Sequence, residues 1–312
     1  LDNFEGGPWE LPPQEESATR AEGRYRTGKK RPRKPLKDEG KPGRYDVRNT
    51  LNDLTGKEWL LLTRSFWTSE AAPEDKHAYK HPAPFLIGDV QRLISLFTKR
   101  GMKVLDPFAG SGSALVAARK LGRSAVGVDL NPDYGGLAEA RLGGFGEDCK
   151  YLVGDAAEVV QSIDPVDYIV TSPPYHNILK NNGKGIRHDN GKSFRRGARD
   201  GVEAYSDHAN DLGNFADYAT FVKAFGSIMK LCREKLRPGG YCTIIISDFT
   251  VGRVETCVQA DVVRELVEVG FEFVGTTILI QPVKPLYPFG YPYAYKINHH
   301  HQNMITFRNP KL

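Results

Sequence analysis

The sequence lacks any apolar run of membrane-spanning length. Its longest, such as Tyr241 to Ser247, fall far short of the roughly 20 residues that a spanning helix needs. The basic-then-apolar order of a secretory signal is also missing, because Leu1 to Trp9 are acidic and rich in Gly and Pro. Cysteine is scarce. Cys149, Cys232, Cys242 and Cys257 have no C-x-x-C spacing, which argues against a metal site and for reduced structural thiols in a cytosolic protein. No internal repeat of fixed period is visible.

What remains is an ordinary globular composition: 312 residues, 40% hydrophobic and 26% charged. That length suits one large α/β domain with appendages, or at most two domains. Charge is unevenly spread along it. Between Arg20 and Arg44 stand eleven Lys/Arg against Glu22, Asp38 and Glu39, a local net of +8, which leaves the rest of the chain at about −3. Residues 1–45 therefore read as a basic, flexible arm, and 46–312 as the folded domain. A Gly/Pro-punctuated basic arm on a near-neutral body suits nucleic acid, though a solvated tail or a localisation signal has the same composition.

Around Leu51 to Trp67 apolar density returns, which reads as a short helix or docking element. From about residue 88 strands and helices alternate. Apolar runs at 103–105, 124–128, 150–153, 167–170, 241–246, 271–280 and 303–307 predict seven strands. Helical patterns over 90–98, 114–121, 156–163, 218–236 and 261–269, and after Asn131-Pro132, separate most of them. Such alternation implies a mainly parallel sheet covered on both faces, and the last two strands, with no helix between them, suggest an antiparallel hairpin.

Two motifs carry chemistry. The first is "VLDPFAGSGSALVAARKLG", a strand, a Gly-rich turn and a helix. It is not the dinucleotide G-x-G-x-x-G, since Leu115 fills the third glycine position, and it lacks the Gly-Lys-Ser/Thr of a phosphate loop. The next strand ends at Asp129, 17 residues after Gly112, where a carboxylate can accept both hydroxyls of a ribose. The third strand ends in Gly154-Asp155, within reach of an adenine amine. Ribose and adenine without a pyrophosphate cradle fit S-adenosylmethionine better than a dinucleotide.

The second motif is Thr171-Ser172-Pro173-Pro174-Tyr175, at the tip of the fourth strand. Its prolines stop both helix and ladder. The Ser172 hydroxyl and the Pro173 carbonyl can accept the two N–H groups of an aromatic amine, while Tyr175 can stack on its ring. With the lone pair localised in this way the amine can attack a methyl group in line, without the covalent intermediate that a Pro-Cys nucleophile would form.

At these residues the sequence resembles the DNA amino-methyltransferases, the N4-cytosine and N6-adenine DNA methylases. Asp106 to Ser113 is similar to their cofactor motif, Thr171 to Tyr175 to their catalytic motif, and "HPAPF" (His81 to Phe85) to the segment completing the cofactor pocket. The likeness runs over about residues 50–308, including "LNDLTGKEW", "YSDHANDLGNFADY" and "YPFGYPYAYKINHHHQNMITFR". It implies a Rossmann-like S-adenosylmethionine-dependent methyltransferase fold, with a seven-stranded, mostly parallel sheet and a C-terminal antiparallel hairpin. It places catalysis on Ser172, Pro173, Pro174 and Tyr175. Cofactor contacts fall on Asp106, Phe108, Gly110, Gly112, Ser113, Asp129 and Asp155, together with His81 and Pro82.

The partners implied are double-stranded DNA and a cognate restriction endonuclease; no membrane is implied, and oligomeric state is left open. With no large recognition domain after the catalytic half, target selection falls to the polar loop 177–214, to "KPLYPFGYPYAYK" and to the arm. In the loop, Lys180, Lys184, Arg187, Arg195, Arg196 and Arg199 suit phosphate contacts. Serine at position 172 leans, within the family, toward the cytosine N4 amine of a flipped-out base rather than adenine N6. An RNA guanine-N2 methyltransferase and an inactive DNA-binding relative are the rival readings. The run His299-His300-His301 has no Cys or carboxylate motif beside it and reads as substrate contact or polar packing, not a metal site.

Overall fold

The computed structural model describes residues 43–75, 85–176, 206, 208–252 and 254–311, and structural statements below concern these. The chain divides into two units, Leu1–Lys41 and Pro42–Leu312, and the described residues belong to the second.

Its centre is an eight-stranded sheet. In chain order the strands are β1 (Phe66–Thr68), β2 (Lys103–Asp106), β3 (Ser124–Asp129), β4 (Cys149–Val153), β5 (Val166–Thr171), β6 (Leu236–Ile246), β9 (Glu272–Ile280) and β10 (His301–Arg308). A separate two-stranded hairpin holds β7 (Phe249–Val251) and β8 (Val254–Thr256). The order across the large sheet is β1-β9-β10-β6-β5-β2-β3-β4. Pairings are parallel except those of β10, which runs against both β6 and β9. β10 is therefore wedged between two strands that point the same way.

Apolar alternation produces the two covered faces. α2 (Ile87–Phe97) and α3 (Ser113–Lys120) bury Val90, Leu93, Ile94, Ala114 and Leu115 against Val104, Tyr168 and Ile245. On the other face α5 (Ala156–Val159), α6 (Tyr218–Lys235) and α7 (Val258–Glu268) pack Phe221, Phe225, Met229 and Val262 on Leu105, Ile169 and Ile244. The strands are apolar on both sides, as a parallel sheet between helices requires.

Three parts differ from the sequence-based reading, one of them the β7–β8 hairpin, which that reading did not contain. The stretch read as a helix or docking element is both: α1 (Gly56–Leu62) is followed by β1, an eighth strand on the sheet edge. Its three residues alternate, with Trp67 buried and Phe66 and Thr68 exposed, and they pair with Ile278, Leu279 and Ile280. β6 also starts five residues early. Leu236 pairs with Val166 before a register shift, and the Arg237-Pro238-Gly239-Gly240 segment is held by Asn309, whose N–H donates to Gly240 O and whose carbonyl accepts from Gly239 N.

The topology fixes where a ligand binds. From β2 the chain winds outward through β3 to β4, with α4 (Pro132–Leu142) between them, and then returns to place β5 on the other side of β2. The reversal between β2 and β5 opens a crevice at the carboxyl ends of the strands, where doubly wound sheets bind ligands.

Candidate active site

Every strand that borders this crevice ends in a polar group. Asp106 closes β2, Asp129 closes β3, Asp155 follows β4, and Ser172-Pro173-Pro174 follows β5. Between them lies a partly open cleft. Phe108, Asp129, Gly154 and Asp155 line one part of it and Ser172, Pro173 and Pro174 another. The two sequence motifs, more than sixty residues apart in the chain, thus share one cavity.

The Gly-rich turn is built for closeness. Gly112 caps α3 in the left-handed region, φ 78°, and a Cβ there would lie 2.7 Å from the Ala138 Cβ on α4. Only glycine meets both conditions without strain. The turn is also tied down from outside the cleft: Tyr151 Oη donates to Gly110 O at 2.7 Å, and the Arg141 guanidinium donates to the carbonyl and hydroxyl of Ser111 and to Ser113 Oγ. Ser113, expected to contact cofactor, is buried with its hydroxyl engaged by Arg141 and does not line the cleft.

Asp129 connects the turn to the next strand. Its Oδ2 accepts from Gly110 N at 2.8 Å and its Oδ1 from Asn131 N at 2.9 Å. Each oxygen keeps a further lone pair for a ligand hydroxyl. Burial pushes this carboxyl up from 3.8 to about 6, against the lowering effect of the two N–H donors. Asp155 caps α5 by accepting from Ala157 N, and its second oxygen accepts from Asn210 Nδ2 at 2.7 Å.

Asp106 lies behind the cleft wall. Its Oδ1 accepts from Thr171 Oγ1 at 2.6 Å and from Phe108 N at 3.1 Å, whereas Oδ2 is buried without a hydrogen-bond partner. Desolvation raises its carboxyl to about 7, with the Thr171 and Phe108 bonds opposing. The Thr171 bond links the end of β2 to the residue preceding Ser172, so the Gly-rich motif and the diproline motif are joined directly.

Tyr175 departs from the expected open stacking platform. It is only 6% exposed and does not line the cleft, and its ring meets Phe249 edge-on at 5.7 Å. Its hydroxyl accepts from Gln302 Nε2 at 2.9 Å and from Ser247 N at 3.3 Å. It therefore anchors the diproline turn to the ends of β6 and β10.

The sequence reading missed other cleft residues. Tyr134 of α4 lines it, as do Ser206, Asn210, Asp211 and Leu212. These last four belong to the 177–214 stretch assigned to DNA contact, yet its end folds back onto the part of the wall that carries Asp155, to which Asn210 bonds. The Asx-type capping pattern around Asp211, which accepts from Gly213 N at 2.8 Å, was the available signal. His81 and Pro82 lie outside the described residues, as do Lys180, Lys184, Arg187, Arg195, Arg196 and Arg199. Of the histidine run, His299 Nε2 sits 2.8 Å from Glu255 Oε1 on β8.

Residues 9–140 match a family described as DNA methylase. The chain is similar to the DNA methylases. Type II methyltransferase M2.DpnII of Streptococcus pneumoniae is 37% identical over 99 residues, 31% of this chain and 35% of that protein. Type II methyltransferase M.HindIII of Haemophilus influenzae is 40% identical over 103 residues, 33% of each chain. The matched stretch thus spans about a third of the length of these curated relatives. Among solved structures, TrmN from Thermus thermophilus aligns over 77% of this chain and 52% of its own, with 19% identity and a TM-score of 0.47.

Proposed function

We propose that this chain transfers a methyl group from S-adenosylmethionine to the exocyclic N4 amine of a cytosine flipped out of duplex DNA. One observation carries the reading: two carboxylates at successive strand tips and the Ser172-Pro173-Pro174 turn line one cleft. Similarity to Type II methyltransferases supports DNA as the substrate.

The cleft residues suit this cofactor. Asp129 has lone pairs to accept ribose hydroxyls, Asp155 to accept an adenine amine, and Phe108 offers an apolar surface for the purine. The Gly-rich turn offers no lysine for a pyrophosphate. When bound, S-adenosylmethionine supplies a methyl group on a sulfonium. The protein's own part is positional: the Ser172 hydroxyl and the Pro173 carbonyl accept the target amine's two N–H groups and turn its lone pair toward the donor. Tyr175, anchored by Gln302 and Ser247, keeps that pair of acceptors in place. Displacements of even 1 Å are costly in such an attack. A strong base is unnecessary because the amine acidifies as the new bond forms.

In this reading 46–312 is the catalytic domain, and the arm 1–45 and the insertion 177–214, apart from the end that lines the cleft, supply phosphate contacts. Arg195→Ala with Arg196→Ala then weakens DNA binding and flattens its salt dependence. A restriction endonuclease of matching sequence specificity is the natural partner. The deciding experiment incubates the protein with duplex DNA and labelled donor, digests to nucleosides and identifies the methylated one by mass spectrometry. N6-methyladenine alone overturns the cytosine assignment, and methylated tRNA beside unmodified DNA overturns the DNA assignment.

A further inference from the structure

The segment from Gln281 to His300, between β9 and β10, has no part in the chemistry above. β9 points the same way as β5 and β6, so this segment leaves the sheet at the carboxyl edge that bears the cleft. It holds no Asp or Glu, and none occurs anywhere from Phe273 to Leu312, whereas Lys284 and Lys296 lie within it.

Its tyrosines are turned outward. Tyr291, Tyr293 and Tyr295 are 79%, 94% and 91% exposed. The backbone beneath them is nonetheless organised. Gly290, at φ 76°, accepts from Tyr293 N at 2.8 Å and Ala294 N at 2.7 Å, and a Cβ at this glycine would collide with the Ala294 carbonyl. Asn298 closes the loop by exchanging two hydrogen bonds with the Tyr287 backbone. Three exposed aromatics on a tightly turned backbone mark a surface that meets something.

The base of the segment reaches the catalytic motif. Gln281 Nε2 donates to Gln302 Oε1 at 3.1 Å, and Gln302 Nε2 donates to Tyr175 Oη at 2.9 Å. Outward aromatic faces, the exposed Lys296 and a segment with no Asp or Glu of its own, although Glu255 of β8 pairs with its His299, suit nucleobases, which stack on rings whatever their identity. We propose that Tyr291, Tyr293 and Tyr295 form a stacking surface for the unpaired bases of DNA opened at the target site. The surface favours locally melted DNA over fully paired duplex. This rests on the DNA-methylation reading.

The test compares wild-type protein, a Tyr291→Ala/Tyr293→Ala/Tyr295→Ala variant and the corresponding triple Phe variant. Fluorescence anisotropy follows binding to a duplex with a short central bubble and to the same duplex fully paired, at several salt concentrations. Calorimetric titration of donor reports the fold and the cleft. Wild type is expected to prefer the bubble. The Ala variant should lose roughly tenfold or more on the bubble with an unchanged salt slope, since no charge is removed, and the Phe variant should retain binding. Wild-type affinity of the Ala variant for the bubble overturns the inference, as does an equal loss on both DNAs. A change from dimer to monomer in the Ala variant, with DNA affinity unchanged, also overturns it and assigns the tyrosines to self-association. If wild type binds neither DNA, the methylation reading itself fails; if wild type methylates DNA and only the Ala comparison fails, the stacking surface alone is lost.

Discussion

The Tyr175 hydroxyl accepts a 2.9 Å hydrogen bond from the Gln302 side chain, 127 residues further along the chain. This bond crosses from the diproline turn after β5 to the first residues of β10, which runs against both its neighbours in the large sheet. It gives β10 a part beyond filling the sheet: the strand carries the donor that holds the diproline turn. Gln302→Leu should therefore lower kcat by roughly tenfold or more while donor affinity stays near wild type, because the carboxylate wall is untouched. Steady-state kinetics with separate donor titration checks this, and a change confined to donor affinity would refute it.

Asp129 bridges the Gly-rich turn and β3 through Gly110 N and Asn131 N. Asp129→Ala removes both acceptors and the proposed site for ribose hydroxyls together. Donor binding by calorimetry should weaken by about 100-fold, since a charged-acceptor bond contributes roughly 1.5–3 kcal/mol. DNA binding without donor should change little. Parallel losses of donor and DNA affinity would show collapse of the fold instead.

Gly112 faces two separate constraints, its left-handed φ and the 2.7 Å approach of Ala138. Gly112→Ala should lower stability by about 2 kcal/mol or more. Adding Ala138→Gly relieves the contact but not the φ, so the double variant should recover only part of the lost stability in chemical denaturation. Full recovery would mean that the backbone conformation costs nothing here.

Much of this site was legible because a parallel strand announces itself as a short apolar run and its tip as the polar residue that ends it. Asp129, Asp155 and Ser172 were found in that way, and they come together because the sheet brings all its carboxyl ends to one edge. The hairpin of β9 and β10 was legible from the missing helix, but not its insertion beside β6, which depends on pairing choices between distant strands. β1 was hidden for a similar reason: three residues have no periodicity to read, and Phe66 to Thr68 become a strand only because β9 offers an edge. The inward turn of Tyr175 is set by Phe249, Ser247 and Gln302, none of them near it in sequence. Asn210 reached the cofactor wall through a fold-back that charge composition could not reveal.

The buried carboxyl of Asp106 makes stability depend on pH. Its ordinary value of 3.8 is raised by burial to about 7. Between those values the folded protein holds a proton that the unfolded chain releases, so stability falls as pH rises through this window. Asp129, raised by burial to about 6, acts in the same direction. Asp106→Asn cannot ionise, and it keeps an oxygen for the Thr171 hydroxyl and the Phe108 N–H. Its new amide donors occupy the place of the unpartnered Oδ2 and impose a cost that does not vary with pH. The melting temperature of the variant minus that of wild type should therefore rise from pH 5 to pH 8. Asp129 still titrates in both proteins, so neither curve becomes flat. Thermal unfolding across that range checks the sign, and parallel curves would mean that Asp106 enters the folded state already ionised, its unpartnered oxygen reached by solvent.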